Sequence, residues 1–310
     1  MSKFSKLRRD YINNWNIIIA SNPSAYYFPL EKIVYDKIFN QHLDLFRPIK
    51  VNIPKDVDCD IKLSYLIDAL SQIPRGMDIA FDFIWRGYEK SLQEKYAPST
   101  NTTKNIKEEV LKYAIDSDVI NVVNQVLTVV PLQTWEFVVK SIKENWDTSK
   151  TLNDQSGLIK RVLYVDDSAN RQSNLINLFE EIKNQYFADY DAKKQRNAAC
   201  FLRHYFNGQT MNIGGNSFST NNKEKMIILF SCLLYEFRNS RTHAEAISPF
   251  KSSKATISTY MHCHLSFLVA YIGLLFTGME KHGLKRADIL VNVNYNIDLF
   301  KKFYGKAINK

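Results

Sequence analysis

Between Met226 and Phe237 the apolar residues Met226, Leu229, Phe230, Leu233, Leu234 and Phe237 recur at i, i+3, i+4, i+7, i+8 and i+11. That spacing follows the 3.6-residue turn and lays one apolar stripe along an α-helix, whereas a half-buried strand would alternate. Asn221 or Asn222 stands where a side-chain oxygen can take one of the helix's first free backbone N–H groups. The same period returns in Leu63, Leu66, Ile67 and Leu70, stopping at Pro74, and in Met77, Phe81, Ile84 and Tyr88, ending before Pro98. The first third therefore holds at least one helical hairpin. A further stripe, Ile257, Met261, His264, Leu265, Leu268 and Ile272, is expected to begin from Ser252 or Ser253 as its cap. Only ten glycines and eight prolines punctuate the 310 residues, so turns lie far apart and a β-sandwich is disfavoured. The expected fold class is mainly α, a helical bundle.

Two polar, small-residue breaks divide the chain, "APSTNTTKN" at 97–105 and "DTSKTLNDQSG" at 147–157. Residues 1–150 are expected to form a helical N-terminal region without catalytic spacing, and 157–310 a C-terminal helical domain. Helices are expected over 106–145, although the β-branched run "VINVVNQVLTVV" also suits a strand. One long helix is predicted from about Ser173 to Tyr205, followed by the polar stretch "NGQTMNIGGNSFSTNN" (207–222), which is longer than most connections. No repeat of 20–50 residues points to a solenoid.

The formal charge of +9 creates a positive field that attracts polyanions. Its excess is modestly concentrated in the last thirty residues, where Lys281, Lys285, Arg286, Lys301, Lys302, Lys306 and Lys310 face only Asp288 and Asp298. Cysteines 59, 200, 232 and 263 are far apart and lack CxxC pairing, which points to free thiols in a reducing, cytoplasmic setting. The N-terminus has no clean apolar segment with a cleavage signature, so secretion is not expected. "LSFLVAYIGLLFTGM" from Leu265 falls short of the roughly 20 residues that a membrane span needs, so it is expected to be a core helix.

One short polar stretch carries chemistry. "RNSRTH" (238–243) ends the Met226–Phe237 stripe and puts Arg238, Asn239, Arg241 and His243 between two long amphipathic helices. Basic groups in a helix's last turn interact favourably with its dipole, so capping alone would explain the two arginines and the histidine. Requiring Asn directly after Arg, with His at the right distance, lowers the chance expectation to about one in fifty. Arg196-Asn197 has Phe201 where the histidine would stand. The stretch resembles the RNxxxH motif of HEPN superfamily ribonucleases, and the resemblance covers roughly residues 173–280.

That resemblance implies a metal-independent endoribonuclease, of the toxin or phage-defence kind, working as a homodimer that brings two motifs into one cleft. RNA is the implied partner, and an antitoxin or sensor protein is the kind of regulator such effectors have. Histidine can accept and donate a proton near neutral pH, and arginine holds phosphate oxygens with a permanently charged planar fork. His243 is assigned acid/base work, Arg238 phosphate stabilisation, Asn239 orientation, and Arg241 an added phosphate contact. Arg203 and His204 in "LRHYF" (202–206) are candidate RNA contacts beside aromatics, although a helix-end core cluster explains them more simply. "HCH" (262–264) is not expected to bind metal, because imidazoles at i and i+2 on a helix point apart, and His264 lies on the apolar stripe. "IGG" at 213–215 lacks the Lys-Ser/Thr of a phosphate-binding loop, so no cofactor is expected. The alternative reading is a helical RNA-binding or protein-interaction module without catalysis.

Overall fold

The computed structural model describes residues 28–51, 57–147, 149–151, 154–163, 174–188, 191–242 and 255–309. They form a mainly α bundle, as the apolar periodicity predicts. In chain order the helices are α1 (Pro29–Tyr35), α2 (Val57–Gln72), α3 (Met77–Lys95), α4 (Thr102–Tyr113), α5 (Ser117–Thr128), α6 (Leu132–Asn145), α7 (Gly157–Leu163), α8 (Asn174–Tyr186) and α9 (Ala192–Phe206). A small hairpin, β1 (Met211–Ile213) and β2 (Asn216–Phe218), precedes α10 (Asn222–Met226), which continues through a π-helical stretch at Ile227–Leu234 into α11 (Tyr235–Thr242). Last come α12 (Ile257–Gly273), prolonged by π and 3-10 turns to His282, and α13 (Arg286–Tyr304), which closes in a 3-10 turn to Asn309.

Local chemistry sets these boundaries. Asn101, Asp116 and Asp191 each accept a hydrogen bond from a first-turn backbone N–H of α4, α5 and α9. The Asp191 cap divides the single helix expected over 173–205 into α8 and α9. Asn221 caps α10 in a reciprocal box with Glu224, at one of the two expected asparagines. α12 starts from Thr256, not from Ser252 or Ser253, because Thr256 accepts from the backbone N–H of Thr259; the two serines lie outside the described residues. The β-branched run 119–130 resolves as helix as far as Thr128, burying Val119, Val122, Val123 and Val126 along one face of α5. Within the 207–222 loop, Met211 pairs with Phe218 and Ile213 with Asn216 across Gly214-Gly215. Both glycines hold positive φ, 59° and 80°, which a two-residue type I′ hairpin turn demands.

α12 runs through the core. It packs along α3, which packs in turn on α2, while the π-helical stretch 227–234 touches α4, α6, α7 and α12. The contact between α3 and α12 is close, since a methyl group on Gly273 would lie 2.8 Å from the Tyr88 ring. The continuous helix Ile257–His282 is 26 residues long, so by length and composition it could cross a membrane, contrary to the expectation that this run is too short. Its most apolar window is nevertheless 94% buried inside the protein, which makes it a core helix. One hydrophobic cluster runs from Leu30 to Ile308 and includes residues from both sides of the 147–157 break.

Candidate functional site

The motif helix emerges from the core with its polar residues in one turn. Ile227–Leu234 is wholly buried, and Phe237 continues it, meeting Phe81 edge-on at 4.7 Å and the His262 ring at 4.9 Å. Next in line, the guanidinium of Arg238 donates to the Asn239 side-chain oxygen at 3.2 Å, and Ser240 donates to the Phe237 carbonyl at 2.9 Å. Arg238, Asn239 and Ser240 are half-buried, at the border between the core and solvent. The motif's histidine, His243, lies outside the described residues.

Arg241, expected to add a phosphate contact, is held by two carboxylates of α3. Its Nε and one terminal nitrogen grip both oxygens of Asp82 at 2.7 and 2.6 Å, and the other terminal nitrogen donates to Asp78 at 2.9 Å. Burial opposes its charge, but Asp82 and Asp78 outweigh that and hold the guanidinium protonated beyond its ordinary range. Asp78 and Asp82 are one helical turn apart, so both can face the same arginine. The motif turn is thereby fastened to the N-terminal half.

A second arginine arrives from a different part of the chain. Arg161 on α7 stacks its guanidinium 4.1 Å from the centre of the Tyr235 ring, and Arg238 lies 5.8 Å from the same centre. Arg161 also donates to the Ser231 carbonyl at 3.3 Å and to Glu236 at 3.2 Å. Tyr235 is fixed by Thr103, whose hydroxyl reaches the phenol oxygen at 3.4 Å, and by the Trp85 ring, edge-on at 5.6 Å. Burial lowers the proton affinity of Arg161 and Arg238 pushes it the same way, while Tyr235 and Glu236 oppose them. Sequence reasoning missed Arg161 because it stands 77 positions before Arg238, within a short apolar segment that carries no motif.

Arg203 and His204 close α9. Arg203 reaches Asn309 at 3.4 Å, and among the described residues no hydrogen bond, ion pair or ring contact joins either residue to α11. Their neighbours Leu202, Tyr205 and Phe206 are fully buried. Two other histidines lie on α12, His262 half-buried and His264 in the core. His262 shares a hydrogen bond with Thr134 at 2.9 Å, and His264 with Tyr304 at 3.0 Å. Among the described residues no three His, Cys, Asp or Glu side chains gather as a metal site would need.

Burial lowers the pKa of His262 to about 4 and that of His264 to about 3. An unfolded chain takes up these protons near pH 6.5, whereas the folded one stays neutral well below that, so between these values the unfolded state binds more protons. Stability is therefore expected to fall as pH drops from about 6.5 towards 4, above the range in which most carboxylates titrate. Thermal midpoints measured across this window should show the slope, and His262→Gln should flatten part of it.

No protein-family model matches the chain, and no curated protein or solved structure is significantly similar to it.

Proposed function

We propose that the protein is a metal-independent endoribonuclease of the HEPN kind, with Arg238, Asn239 and His243 as its reacting constellation. The observation that carries this reading is the Arg-Asn pair in the closing turn of the buried rod, where Asn239 orients the Arg238 guanidinium at the edge of the core. In the proposed reaction the ribose 2′-oxygen attacks phosphorus as its proton passes to a base. The bond from phosphorus to the 5′-oxygen then breaks, and that oxygen takes a proton. The products are a 2′,3′-cyclic phosphate and a 5′-hydroxyl, with no change in oxidation state. His243 serves proton transfer, and Arg238 stabilises the charge that builds on the phosphoryl oxygens.

One motif supplies one histidine, so a homodimer sharing a cleft completes the site. The biological class this implies is a cytoplasmic growth-arresting effector, of the toxin or phage-defence kind, restrained by an antitoxin or sensor. Arg241 acts here through α3, as the residue that holds the motif turn in place. Arg203 and His204 stand apart from the motif and would touch only a longer RNA.

The competing reading is a helical RNA-binding or protein-interaction module without catalysis, and the commitment of Arg241 to Asp78 and Asp82 favours it, because that pairing anchors the helix whether or not RNA is cut. Purified protein is expected to cleave single-stranded RNA in EDTA, leaving cyclic phosphate ends. His243→Ala and Arg238→Ala should each lower the rate by at least about a hundredfold. Binding without cleavage by the unaltered protein would establish the competing reading instead.

A further inference from the structure

The two arginines on Tyr235 form an arrangement that the motif does not contain. The Arg161 guanidinium spends Nε on the Ser231 carbonyl and one terminal nitrogen on Glu236, so an oxyanion reaches it by exchanging with the Glu236 carboxylate. Arg161 and Arg238 come from helices far apart in sequence, yet both rest on one ring whose position α3 and α4 fix through Trp85 and Thr103. The charge of Arg238 lowers the proton affinity of Arg161, and an anion bound by both relieves that repulsion. The side chain of Arg161 is only 8% exposed, so its charge is screened little by water and acts strongly on a neighbouring phosphate.

We propose that Arg161 is a second phosphate-binding arginine of the motif site, gripping an RNA phosphodiester together with Arg238 beside Tyr235. This inference rests on the ribonuclease reading for its ligand, but it concerns binding and can stand if cleavage fails. Glu236 sets the resting position of Arg161 through the 3.2 Å contact, and an incoming phosphate competes with it for the same guanidinium. The cation pair is contained within one chain, so the dimer is not needed to form it.

The test uses the full chain and a fluorescent single-stranded RNA carrying 2′-O-methyl groups, which cannot be cut. Binding is followed by anisotropy over a range of salt concentrations. Arg161→Met is expected to weaken binding roughly tenfold and to reduce the slope of log affinity against log salt by about 0.7, one contact on a single strand. Arg161→Lys should recover the slope. Glu236→Gln removes the ion pair but keeps the arginine, and should bind at least as tightly as the unaltered protein. If Arg161 only supports the fold, Glu236→Gln and Arg161→Met will lose stability together and neither will change the slope, which would overturn the proposal. The Glu236→Gln and Arg161→Lys measurements decide the matter even where Arg161→Met does not fold. An unaltered protein that binds this RNA with an Arg161-dependent slope, yet cuts no cleavable RNA, would refute the ribonuclease reading and leave the binding site standing. Failure of the unaltered protein to bind RNA at all would remove both.

Discussion

Arg241→Ala is expected to lower the free energy of unfolding by about 3–5 kcal/mol, because it removes one partner of a buried ion pair and leaves the other behind. The side chain of Asp78 is only 5% exposed, so its carboxylate would lose its guanidinium partner where water cannot replace it. Asp82 is 37% exposed and can rehydrate, so most of the loss falls on Asp78. Arg241→Lys should recover only part of the difference, since an ammonium is a point charge and cannot hold Asp82 with two parallel bonds while also reaching Asp78. Combining Arg241→Ala with Asp78→Ala should destabilise less than the sum of the two single changes. Urea denaturation of the four proteins measures this. A loss below about 1 kcal/mol for Arg241→Ala would show the pair behaving like an exposed surface bridge. Under the proposed function, RNA cleavage should fall as well, because the turn that presents Arg238 is released from α3.

Lys62→Ala is expected to be nearly as damaging, by about 3 kcal/mol or more, for a related reason. The Lys62 side chain has no exposed surface, and its three protons meet three acceptors: Glu94 at 2.5 Å, the Asp58 carbonyl at 3.0 Å and the His282 Nε2 at 3.1 Å. An ammonium only donates, so His282 must accept at Nε2 and carry its proton on Nδ1. Removing Lys62 leaves Glu94 with Lys281 at 2.8 Å, which softens the effect relative to Arg241. Burial raises the Glu94 pKa, but the hydrogen bonds from Lys281 and Lys62 outweigh it and the carboxyl ionises below its ordinary range. Its contribution to stability is therefore present at neutral pH and is lost as pH falls through the lowered value. Lys62→Ala should weaken that acid dependence, which a comparison of denaturation at pH 7 and pH 3 would reveal. An unchanged midpoint at both values would contradict the role assigned to this cluster.

The helical architecture was legible because apolar spacing is a local property. The stripes at Leu63–Leu70, Met77–Tyr88, Met226–Phe237 and Ile257–Ile272 all lie on helices of the structure. The division between α8 and α9 was missed because Asp191 sits in a polar run where a cap and an exposed helix face look alike. The hairpin was missed because three-residue strands are too short to show alternation, although Gly214-Gly215 carried a turn signal. The π-helical widening before the motif has no composition of its own.

For the candidate site, the sequence marked Arg238 and Asn239 but could not reveal what surrounds them. Asp78 and Asp82 meet Arg241 across 159 or more positions, and Arg161 meets Tyr235 across 74, so neither contact follows from spacing within a window. Charge on Arg241 reads identically in sequence whether it faces a phosphate or two aspartates. Only the placement of the last turn of α11 beside Asp78 and Asp82 of α3 distinguishes the two.

The central position of α12 also imposes an order on synthesis. Lys95 ends α3 and Ile257 begins the helix that covers it, 162 positions later. At ribosomal speeds, α3 would wait about 8–30 s for that partner. During this interval Phe81, Ile84 and Tyr88, all fully or almost fully buried in the finished fold, have no α12 to pack against. The nascent chain thus exposes these three side chains on that face until α12 emerges, and the motif turn, whose anchor lies on α3, can be fixed only once Arg241 has been made.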